Sequence, residues 1–393
     1  MKLSKINSHF GVKRSLAIGV LLAGLGIFPS AAEIIVETTT WSKYDNNIPG
    51  VSDTTSTNGR IGLGIAGKGD DVGLFTPAVI GGPTNQMWYT ATDGGYYRIY
   101  YATSPDGLTW TKYDNTTPTD SDTVSTNGRI PRGTAGKGDD TYAAYATVIK
   151  DGTTYKMWYS GYQDATTARI YYATSPDGLT WTKYSNSIPT NTDTTSTDGR
   201  IGLGSPGNGD TVDVFYPTVI KDGAVYKMWY TGYNGTNNRI YYATSPDGLT
   251  WTKYNNAIPT NSNTTSTDGR IPLGTAGKGD QTSAYIPVVI KVGNTYKMWY
   301  GGYDGANARI YYATSPDGLT WTKHNNTTPA DSNTTSTDGR VPRGTLGDLT
   351  HSLAPAVIRV GNTYKMWYGG YSGAWRIYHA VANPPASTII SAW

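Results

Sequence analysis

The sequence predicts an all-β protein that is assembled from five copies of one unit, each about 70 residues long. The tripeptide Met-Trp-Tyr begins at Met87, Met157, Met228, Met298 and Met366. The segment Ser-Pro-Asp-Gly-Leu-Thr-Trp begins at Ser104, Ser175, Ser245 and Ser315. The many glycines (48) and tyrosines (32) favour strands and turns over helices. A fixed period of this kind indicates one supersecondary unit that packs against copies of itself.

Each unit accommodates four strands, which are clearest in the second copy. Asp151-Gly152 predicts a tight hairpin turn, and Pro176-Asp177-Gly178 predicts a second turn. The strands that these turns separate are predicted at Ala146–Lys150, Thr154–Tyr162, Arg169–Thr174 and Thr180–Tyr184.

The two ends of the repeat array are complementary. The first copy begins with Trp41-Ser42-Lys43-Tyr44, which matches the end of the later units, whereas the last copy stops after Ala380 without such an ending. We therefore expect a five-bladed β-propeller over residues 33–386, with four antiparallel strands per blade and a ring closed by the N-terminal strand Glu33–Tyr44. Residues 387–393 are a C-terminal tail or an extra strand that competes for the same place.

Residues 1–32 have the pattern of a secretory signal peptide. Four basic residues precede the apolar run Ser15–Phe28, and Ser30-Ala31-Ala32 resembles a cleavage site. We expect a secreted bacterial protein, extracellular or periplasmic, without a membrane span after the signal is removed. The remaining 28 Lys+Arg and 29 Asp+Glu give a net charge of −1, which gives no indication of nucleic-acid binding. Because the chain has no cysteine, disulfides and thiolate metal sites are excluded.

Long polar connections join the units, for example at Asp114–Asp140. The motif Ser-Thr-(Asn/Asp)-Gly-Arg recurs in all five copies, which argues that the connections are ordered. Its arginine is expected to form ion pairs within the loops, for example with Asp139 or Asp210, although a set of five guanidinium groups could also hold acidic sugars or phosphate. We predict no metal site or other cofactor. Asp120-Ser121-Asp122 leaves calcium open, but unit 4 has Asn261-Ser262-Asn263 at the same place.

The order of these motifs resembles the five-bladed propellers of glycoside hydrolase families 43 and 32. The resemblance rests on Asp-x(n)-Pro-x-Val-Ile, Tyr-Lys-Met-Trp-Tyr-x-Gly and Ile-x-Tyr-Ala-Thr-Ser-Pro-Asp-Gly-Leu-Thr-Trp, and it covers nearly the whole mature chain. The last motif also resembles a shortened sialidase Asp-box, a turn with a structural role. The resemblance implies a glycan or polysaccharide partner and three carboxylates in a central funnel, one of them a glutamate general acid.

The sequence departs from that family at the general acid. The chain contains two glutamates, Glu33 and Glu37, and both precede the first complete unit. An aspartate could replace the glutamate, since burial raises the pKa of a carboxyl group. An all-aspartate catalytic site would use Asp71, Asp140 and Asp213, with Asp71 as base or nucleophile, Asp213 as acid and Asp140 as the tuning carboxylate.

The five copies differ most just before their first strand, near the expected axis. Aromatic side chains there could stack on sugar rings, and polar ones could bond hydroxyl groups; packing of an uneven funnel is the alternative. The predicted ligand-binding residues are Phe75, Tyr142, Tyr145, Phe215, Tyr216, Tyr285 and His351.

Three functions follow from these patterns. The leading hypothesis is a secreted carbohydrate-binding propeller without hydrolytic activity. The first alternative is an active glycoside hydrolase with the all-aspartate site. The second is a structural or adhesive surface protein that self-associates through its repeated loops.

Overall fold

The structure is a computed structural model that describes residues 39–383. The predicted signal peptide (residues 1–32), residues 33–38 of the predicted N-terminal strand and the predicted tail 387–393 lie outside the described residues. In chain order the strands are β1 Trp41–Lys43, β2 Thr55–Ser56, β3 Gly73–Ile80, β4 Asn85–Thr92, β5 Tyr97–Ser104, β6 Trp110–Lys112, β7 Val124–Ser125, β8 Tyr142–Asp151, β9 Thr154–Tyr162, β10 Ala168–Ser175, β11 Trp181–Lys183, β12 Thr195–Ser196, β13 Asp213–Asp222, β14 Val225–Tyr233, β15 Asn238–Ser245, β16 Trp251–Lys253, β17 Thr265–Ser266, β18 Ser283–Val292, β19 Thr295–Tyr303, β20 Ala308–Ser315, β21 Trp321–His324, β22 Thr335–Ser336, β23 His351–Val360, β24 Thr363–Tyr371 and β25 Trp375–Ala382.

The strands form one antiparallel pattern that repeats five times. We call these repeats units 1 to 5, with first strands β3, β8, β13, β18 and β23. In unit 2 the pairing order is β8-β9-β10-β11, as the turn residues predicted. The second strand, Thr154–Tyr162, has the predicted bounds. The first strand starts at Tyr142 rather than Ala146, so most of the residues that differ between copies lie inside the strand, whereas Asp140 and Thr141 precede it.

A short fifth strand extends each sheet, which corrects the prediction of four strands per unit. In unit 2 it is β7, a two-residue segment of the long connection that pairs with β11. β2, β12, β17 and β22 do the same in the other units. The long connections are therefore ordered along the outer edges of the sheets.

The N-terminal strand β1 belongs to the sheet of unit 5. Ser42 and Lys43 pair antiparallel with Val381 and Ala380 of β25. In unit 5, β1 thus takes the place that a Trp-Thr-Lys strand takes in each of the other units.

Tryptophan pairs form the contact between neighbouring units. The tryptophan of each Met-Trp-Tyr motif is fully buried and meets the last-strand tryptophan of the following unit nearly edge-to-face. Trp88 and Trp181 are typical, with ring centroids 5.8 Å apart. The corresponding pairs are Trp158–Trp251, Trp229–Trp321, Trp299–Trp41 and Trp367–Trp110. The last of these joins unit 5 to unit 1.

A buried ion pair anchors each long connection. In unit 2, Lys183 Nζ lies 2.7 Å from Asp139 Oδ2, and Asp139 also accepts hydrogen bonds from Tyr159 and Asn186. Equivalent pairs are Lys112–Asp70, Lys253–Asp210, Lys323–Asp280 and Lys43–Asp348. Asp139 and Asp210 were expected to pair with the loop arginines, and this expectation is wrong, because both pair with a lysine. The loop arginines pair with Asp45, Asp114, Asp198, Asp268 and Asp338 instead.

Candidate functional site: an aromatic mouth cavity

The first strand of every unit contains a β-bulge close to its start. In unit 3 the register shifts between Phe215 and Thr218, and Tyr216 has a positive φ of 50°. Its backbone N–H donates to Ser160 Oγ of the preceding unit at 3.0 Å. The equivalent residues, all with positive φ, are Thr76, Tyr145, Ile286 and Ala354. A bulge changes the direction of the local side chains. Each unit therefore places a bulge residue at the equivalent position, and the type of this residue differs between most units.

These five bulge residues converge, because all of them line the same two cavities. The rings of Tyr145 and Tyr216 contact each other with centroids 4.2 Å apart and an interplanar angle of 33°, and burial raises the pKa of both phenols. Tyr145 and Tyr216, predicted to bind ligand, thus form a tilted aromatic pair where the five first strands meet.

A larger cavity of about 510 Å³ opens among units 3, 4 and 5, and we call it the mouth cavity. Four of the predicted site residues line it: Asp213, Phe215, Tyr285 and His351. The other lining residues are Tyr233, Thr236, Asn238, Thr282, Ser283, Tyr303, Leu353 and Trp375. The structure thus brings together predicted residues from three different units.

Trp375 forms the aromatic wall of the mouth cavity. Its ring stacks on His351 with an interplanar angle of 15° and a centroid distance of 5.8 Å. It also contacts Tyr371 at 5.2 Å and Phe75 at 5.5 Å. A large ring fixed on several sides offers a flat apolar surface with little conformational freedom to lose on binding.

Asp213 and His351 occupy equivalent positions at the start of their strands, and both cap a neighbouring strand. Asp213 Oδ1 accepts the backbone N–H of Ala168 at 2.7 Å. His351 Nδ1 accepts the backbone N–H of Ala308 at 3.1 Å, which puts the proton of the neutral ring on Nε2. Asp213 and His351 thus contribute a carboxyl group and an imidazole to a cavity that aromatic rings and the polar residues Thr236, Asn238, Thr282 and Ser283 also line.

Burial changes the acidity of both groups. Desolvation raises the pKa of Asp213 to about 6, against the opposing effect of the Ala168 hydrogen bond. Desolvation, together with the positive charges of Arg343 and Arg309, lowers the pKa of His351. The mouth cavity therefore contains a carboxyl group with a pKa of about 6 and an imidazole with a lowered pKa.

The other two predicted catalytic residues lie in the long connections. Asp71 Oδ2 accepts the backbone N–H of Gly67 at 2.7 Å, and Asp140 Oδ2 accepts that of Gly136 at 2.8 Å. Asp71 and Asp140 align with Thr211 of unit 3, which lies two residues before Asp213. They are therefore not equivalent to Asp213, and each holds a turn of its long connection. Neither lines the mouth cavity.

The remaining predicted binding residues, Phe75 and Tyr142, lie in an aromatic cluster of units 1 and 2. Tyr97 joins them, with ring centroids 5.3 Å from Phe75 and 4.7 Å from Tyr142. Tyr142 also contacts Tyr162 at 5.3 Å. Since Trp375 contacts Phe75, this cluster continues the aromatic wall beyond the mouth cavity.

Three aromatic residues of the mouth cavity were not predicted: Trp375, Tyr303 and Tyr233. They lie at the end of the second strand or the start of the third, directly across the sheet from the variable start of the first strand. The signal was present in the sequence, because the residue that opens the third strand also differs in most copies: Tyr97, Ala168, Asn238, Ala308 and Trp375.

Between residues 39 and 383 the structure contains no cluster of three or more His, Asp or Glu side chains that could hold a metal ion. The two carboxylates of the Asp120-Ser121-Asp122 segment have protein partners. Asp120 pairs with Arg132 at 2.6 Å, and Asp122 accepts hydrogen bonds from Thr134 and Asn186. None of the described residues forms a helix with the length and apolar character of a membrane span.

Comparison with known proteins first identifies sequence relatives of a part of the chain. No family model matches the sequence. Two uncharacterised proteins of Mycobacterium tuberculosis, Rv1502 of strain H37Rv and MT1551 of strain CDC 1551, are 36% identical over 119 residues. The match covers 28% of this chain and 34% of each relative, so the chain spans about a third of the length of these curated relatives.

Solved structures match over most of the chain. A glycoside hydrolase superposes with a TM-score of 0.58 at 15% identity, over 89% of this chain and 94% of its own. A member of the GH130 family of mannoside phosphorylases, which contains glycoside hydrolases that target β-1,2-mannosidic linkages in Candida mannan, gives 0.56 at 13% identity, over 93% and 98%. A thermostable family-43 glycoside hydrolase gives 0.52 at 14% identity, over 82% and 96%. The chain therefore has the β-propeller fold of the glycoside hydrolase family 43/32 type.

Proposed function

We propose that the protein is a secreted, glycan-binding five-bladed propeller whose ring is closed by β1, and that the mouth cavity holds the sugar. The observation that carries this proposal is the composition of the cavity. Trp375, Tyr285, Tyr303 and Phe215 supply apolar ring faces, and Asp213 and His351 supply polar groups at its edge. Sugars are recognised by this combination of stacking surface and a few directed hydrogen bonds.

The five-bladed, closed arrangement is supported by the pattern of contacts between units. The Trp–Trp contact occurs five times, and one of the five joins unit 5 to unit 1. The pairing of β1 with β25 supplies the last strand of unit 5. A closed ring leaves no long free sheet edge, which suits a protein exported to crowded surroundings.

Binding is favoured over hydrolysis by the number of carboxylates. Glycosidic cleavage in enzymes of this type needs two carboxyl groups on opposite sides of the scissile bond. Among the described residues that line the mouth cavity, Asp213 is the one carboxylate. Asp71 and Asp140 hold turns of the long connections, and residues 39–383 contain no glutamate.

The raised pKa of Asp213 is the observation that keeps hydrolysis as a second candidate. A carboxyl group with a pKa of about 6 is protonated often enough to act as a general acid. It would need a partner carboxylate or a nucleophile from the substrate itself. Release of reducing sugar by the purified protein that is abolished in Asp213→Asn would establish this candidate.

Glycan-array screening followed by titration calorimetry tests the proposal. Trp375→Ala should lower the affinity for the glycan that binds by roughly tenfold or more, because a stacking surface is lost. Tyr254→Ala is the matched control, since Tyr254 is 56% exposed and does not line the cavity. Absence of binding to every plant and microbial glycan, or equal losses in both variants, would refute the proposal. Concentration-dependent self-association without glycan binding would favour the adhesive alternative.

A further inference from the structure

The backbone N–H of the bulge residue is capped by the preceding unit at three of the five boundaries between units. In each case the acceptor is the hydroxyl group of the residue that follows Met-Trp-Tyr. A bulge takes its N–H out of the regular strand pairing, so this hydroxyl group supplies the acceptor that the strand no longer provides. The three hydrogen bonds are Tyr145 N–H to Thr90 Oγ1 at 2.7 Å, Tyr216 N–H to Ser160 Oγ at 3.0 Å and Ile286 N–H to Thr231 Oγ1 at 3.0 Å.

The other two boundaries have a glycine at the place of this hydroxyl residue. Gly301 of unit 4 stands where Ala354 of unit 5 would find its cap, and Gly369 of unit 5 stands where Thr76 of unit 1 would find it. A glycine has no side-chain acceptor, so neither N–H is capped in the manner of the other three. Since the capped N–H groups point to this place in the other units, the Thr76 N–H is directed toward Gly369.

The two glycines differ in what occupies the space of the absent side chain. A Cβ atom at Gly301 would lie 3.1 Å from Tyr285 Cε1, so the ring of Tyr285 already fills that place. A Cβ atom at Gly369 would lie 3.4 Å from the carbonyl oxygen of Leu353 and 3.5 Å from the ring of Trp375, which are ordinary van der Waals distances. The space beside Gly369 is therefore open, whereas the space beside Gly301 is taken.

Gly369 and Thr76 line one cavity of about 210 Å³, which we call the axial pocket. Apolar and aromatic side chains form most of its walls, among them Phe75, Ile286, Leu353, Ala354 and Trp375. The hydroxyl group of Thr76 is already engaged, since it donates to Thr90 Oγ1 at 3.0 Å. Leu353 and Trp375 line the mouth cavity as well, so the axial pocket adjoins the proposed sugar site.

The axial pocket thus combines a backbone donor, the Thr76 N–H, with mostly apolar walls. An acetyl group has the matching chemistry, because its carbonyl oxygen accepts a hydrogen bond and its methyl group gains from leaving water. A hydroxyl group would leave the apolar walls without contact, and a methyl group alone would leave the N–H without an acceptor.

We propose that the axial pocket is a subsite for an acetyl group carried by the glycan, with the Thr76 N–H as the donor to the acetyl oxygen. This inference rests on the proposed function and specifies the ligand as an acetylated glycan. An acetyl ester and an N-acetyl group share the chemistry that the pocket recognises.

Matched ligands separate the acetyl group from the sugar. Calorimetry would compare acetylated xylo-oligosaccharides with the same oligosaccharides after alkaline deacetylation. It would also compare chitin oligosaccharides with cello-oligosaccharides, which have a hydroxyl group in place of each acetamide. We expect the acetylated member of at least one pair to bind at least about tenfold more tightly, because it adds a hydrogen bond and a buried methyl group. The pair that shows the preference identifies the ester or the acetamide as the ligand group.

Gly369→Ser tests the pocket in the protein itself. The serine would give Thr76 the cap that Ser160 gives to Tyr216, and its side chain would take the space of the acetyl group. The preference for the acetylated ligand should disappear, while binding of the other member should not change and the melting temperature should not fall. Gly82→Ser is the matched control, because Gly82 is exposed and lines neither cavity. It should keep the preference.

The possible outcomes distinguish this inference from the proposed function. Equal affinity within both pairs, or a preference that persists in Gly369→Ser, overturns the subsite and leaves glycan binding standing. If no oligosaccharide binds, the proposed function fails, and N-methylacetamide then probes the pocket without a sugar. In isotope-labelled protein, a shift of the Thr76 amide resonance on titration that Gly369→Ser abolishes would still support the acetyl site. Absence of that shift would overturn it.

Discussion

Lys43 Nζ lies 2.6 Å from Asp348 Oδ2, in a contact that links positions 305 residues apart in the chain. Both side chains are almost completely buried, and burial lowers the pKa of Lys43 in spite of its acidic partner. In each of the other four units the equivalent Lys–Asp pair joins residues of the same repeat. In unit 5 the pair joins the N-terminal strand β1 to the last repeat.

Removing Lys43 should therefore destabilise the whole protein. Lys43→Met leaves Asp348 buried without its cation, and loss of one partner of a buried pair costs about 3–5 kcal/mol. Chemical denaturation measures this change. Lys221→Met is the control, because its pair with Asp151 is exposed and should contribute little. Equal effects of the two substitutions would contradict the role of the buried pair.

The burial of His379 leads us to expect a loss of stability in mild acid. It is buried against Trp367, and desolvation lowers its pKa from 6.5 to about 4. Between these values the unfolded chain binds a proton that the folded chain does not, so stability falls as the pH drops from 6.5 to 4. The loss amounts to roughly 3 kcal/mol.

Replacing His379 by tyrosine should remove this acid sensitivity. The other units have Tyr101, Tyr172, Tyr242 and Tyr312 at the same place. Tyr101 packs on Trp88 at 5.1 Å, much as His379 packs on Trp367 at 4.9 Å. Unfolding measured at several pH values should give a smaller slope between pH 6.5 and 4 for His379→Tyr. An unchanged slope would assign the acid sensitivity to other groups.

Asp213→Asn should stabilise the protein at neutral pH while weakening its binding. The folded pKa of about 6 lies above the usual aspartate pKa of 3.8, so wild-type stability falls as the pH rises from 4 to 6. Asparagine keeps the acceptor for the Ala168 N–H without a buried charge. The melting temperature should rise at pH 8 but not at pH 3.5, where both proteins are neutral at this position. If the cavity binds sugar hydroxyls through this carboxylate, wild-type affinity should fall below pH 6, and that of the variant should not change.

Ala354→Gly should be neutral or stabilising, because Ala354 has a φ of +54°. A residue with a Cβ atom loses about 1–2 kcal/mol in that left-handed conformation, which offsets the greater flexibility of unfolded glycine. Ala356→Gly is a close control, since Ala356 is equally buried but pairs in the regular strand opposite Trp367. It should lower the melting temperature, and a similar loss in both variants would contradict the argument.

The fold could be predicted from the sequence because its signals are local and repeated. Hairpin turns at Asp151-Gly152 and Pro176-Asp177-Gly178 fix which strands pair, and five copies make the pattern unmistakable. The short strands such as Val124–Ser125 could not be predicted in the same way. Two residues have no alternation, and their pairing depends on the Lys183–Asp139 contact that positions the connection.

The site was predicted only in part because it depends on contacts between units. Asp213 and His351 were found because they differ from the equivalent residues of other copies. Asp71 was predicted to join Asp213 in a catalytic site, although its position in the repeat is two residues before that of Asp213. It lies in a turn that the local sequence does not distinguish from a strand. Trp375 could be recognised as a residue of the mouth cavity only from the structure, in which its ring stacks on His351 of the first strand.

The strand β1 also bears on how such a chain could change its number of units. It has the same Trp-x-Lys pattern as four interior strands. The pairing of β1 with β25 therefore does not depend on how many units lie between them. A gene that lost or gained one whole unit would still encode two complementary ends. The Trp–Trp contacts between neighbouring units are nearly uniform, with interplanar angles from 79° to 89°, so an added unit would offer the same contact to its neighbours.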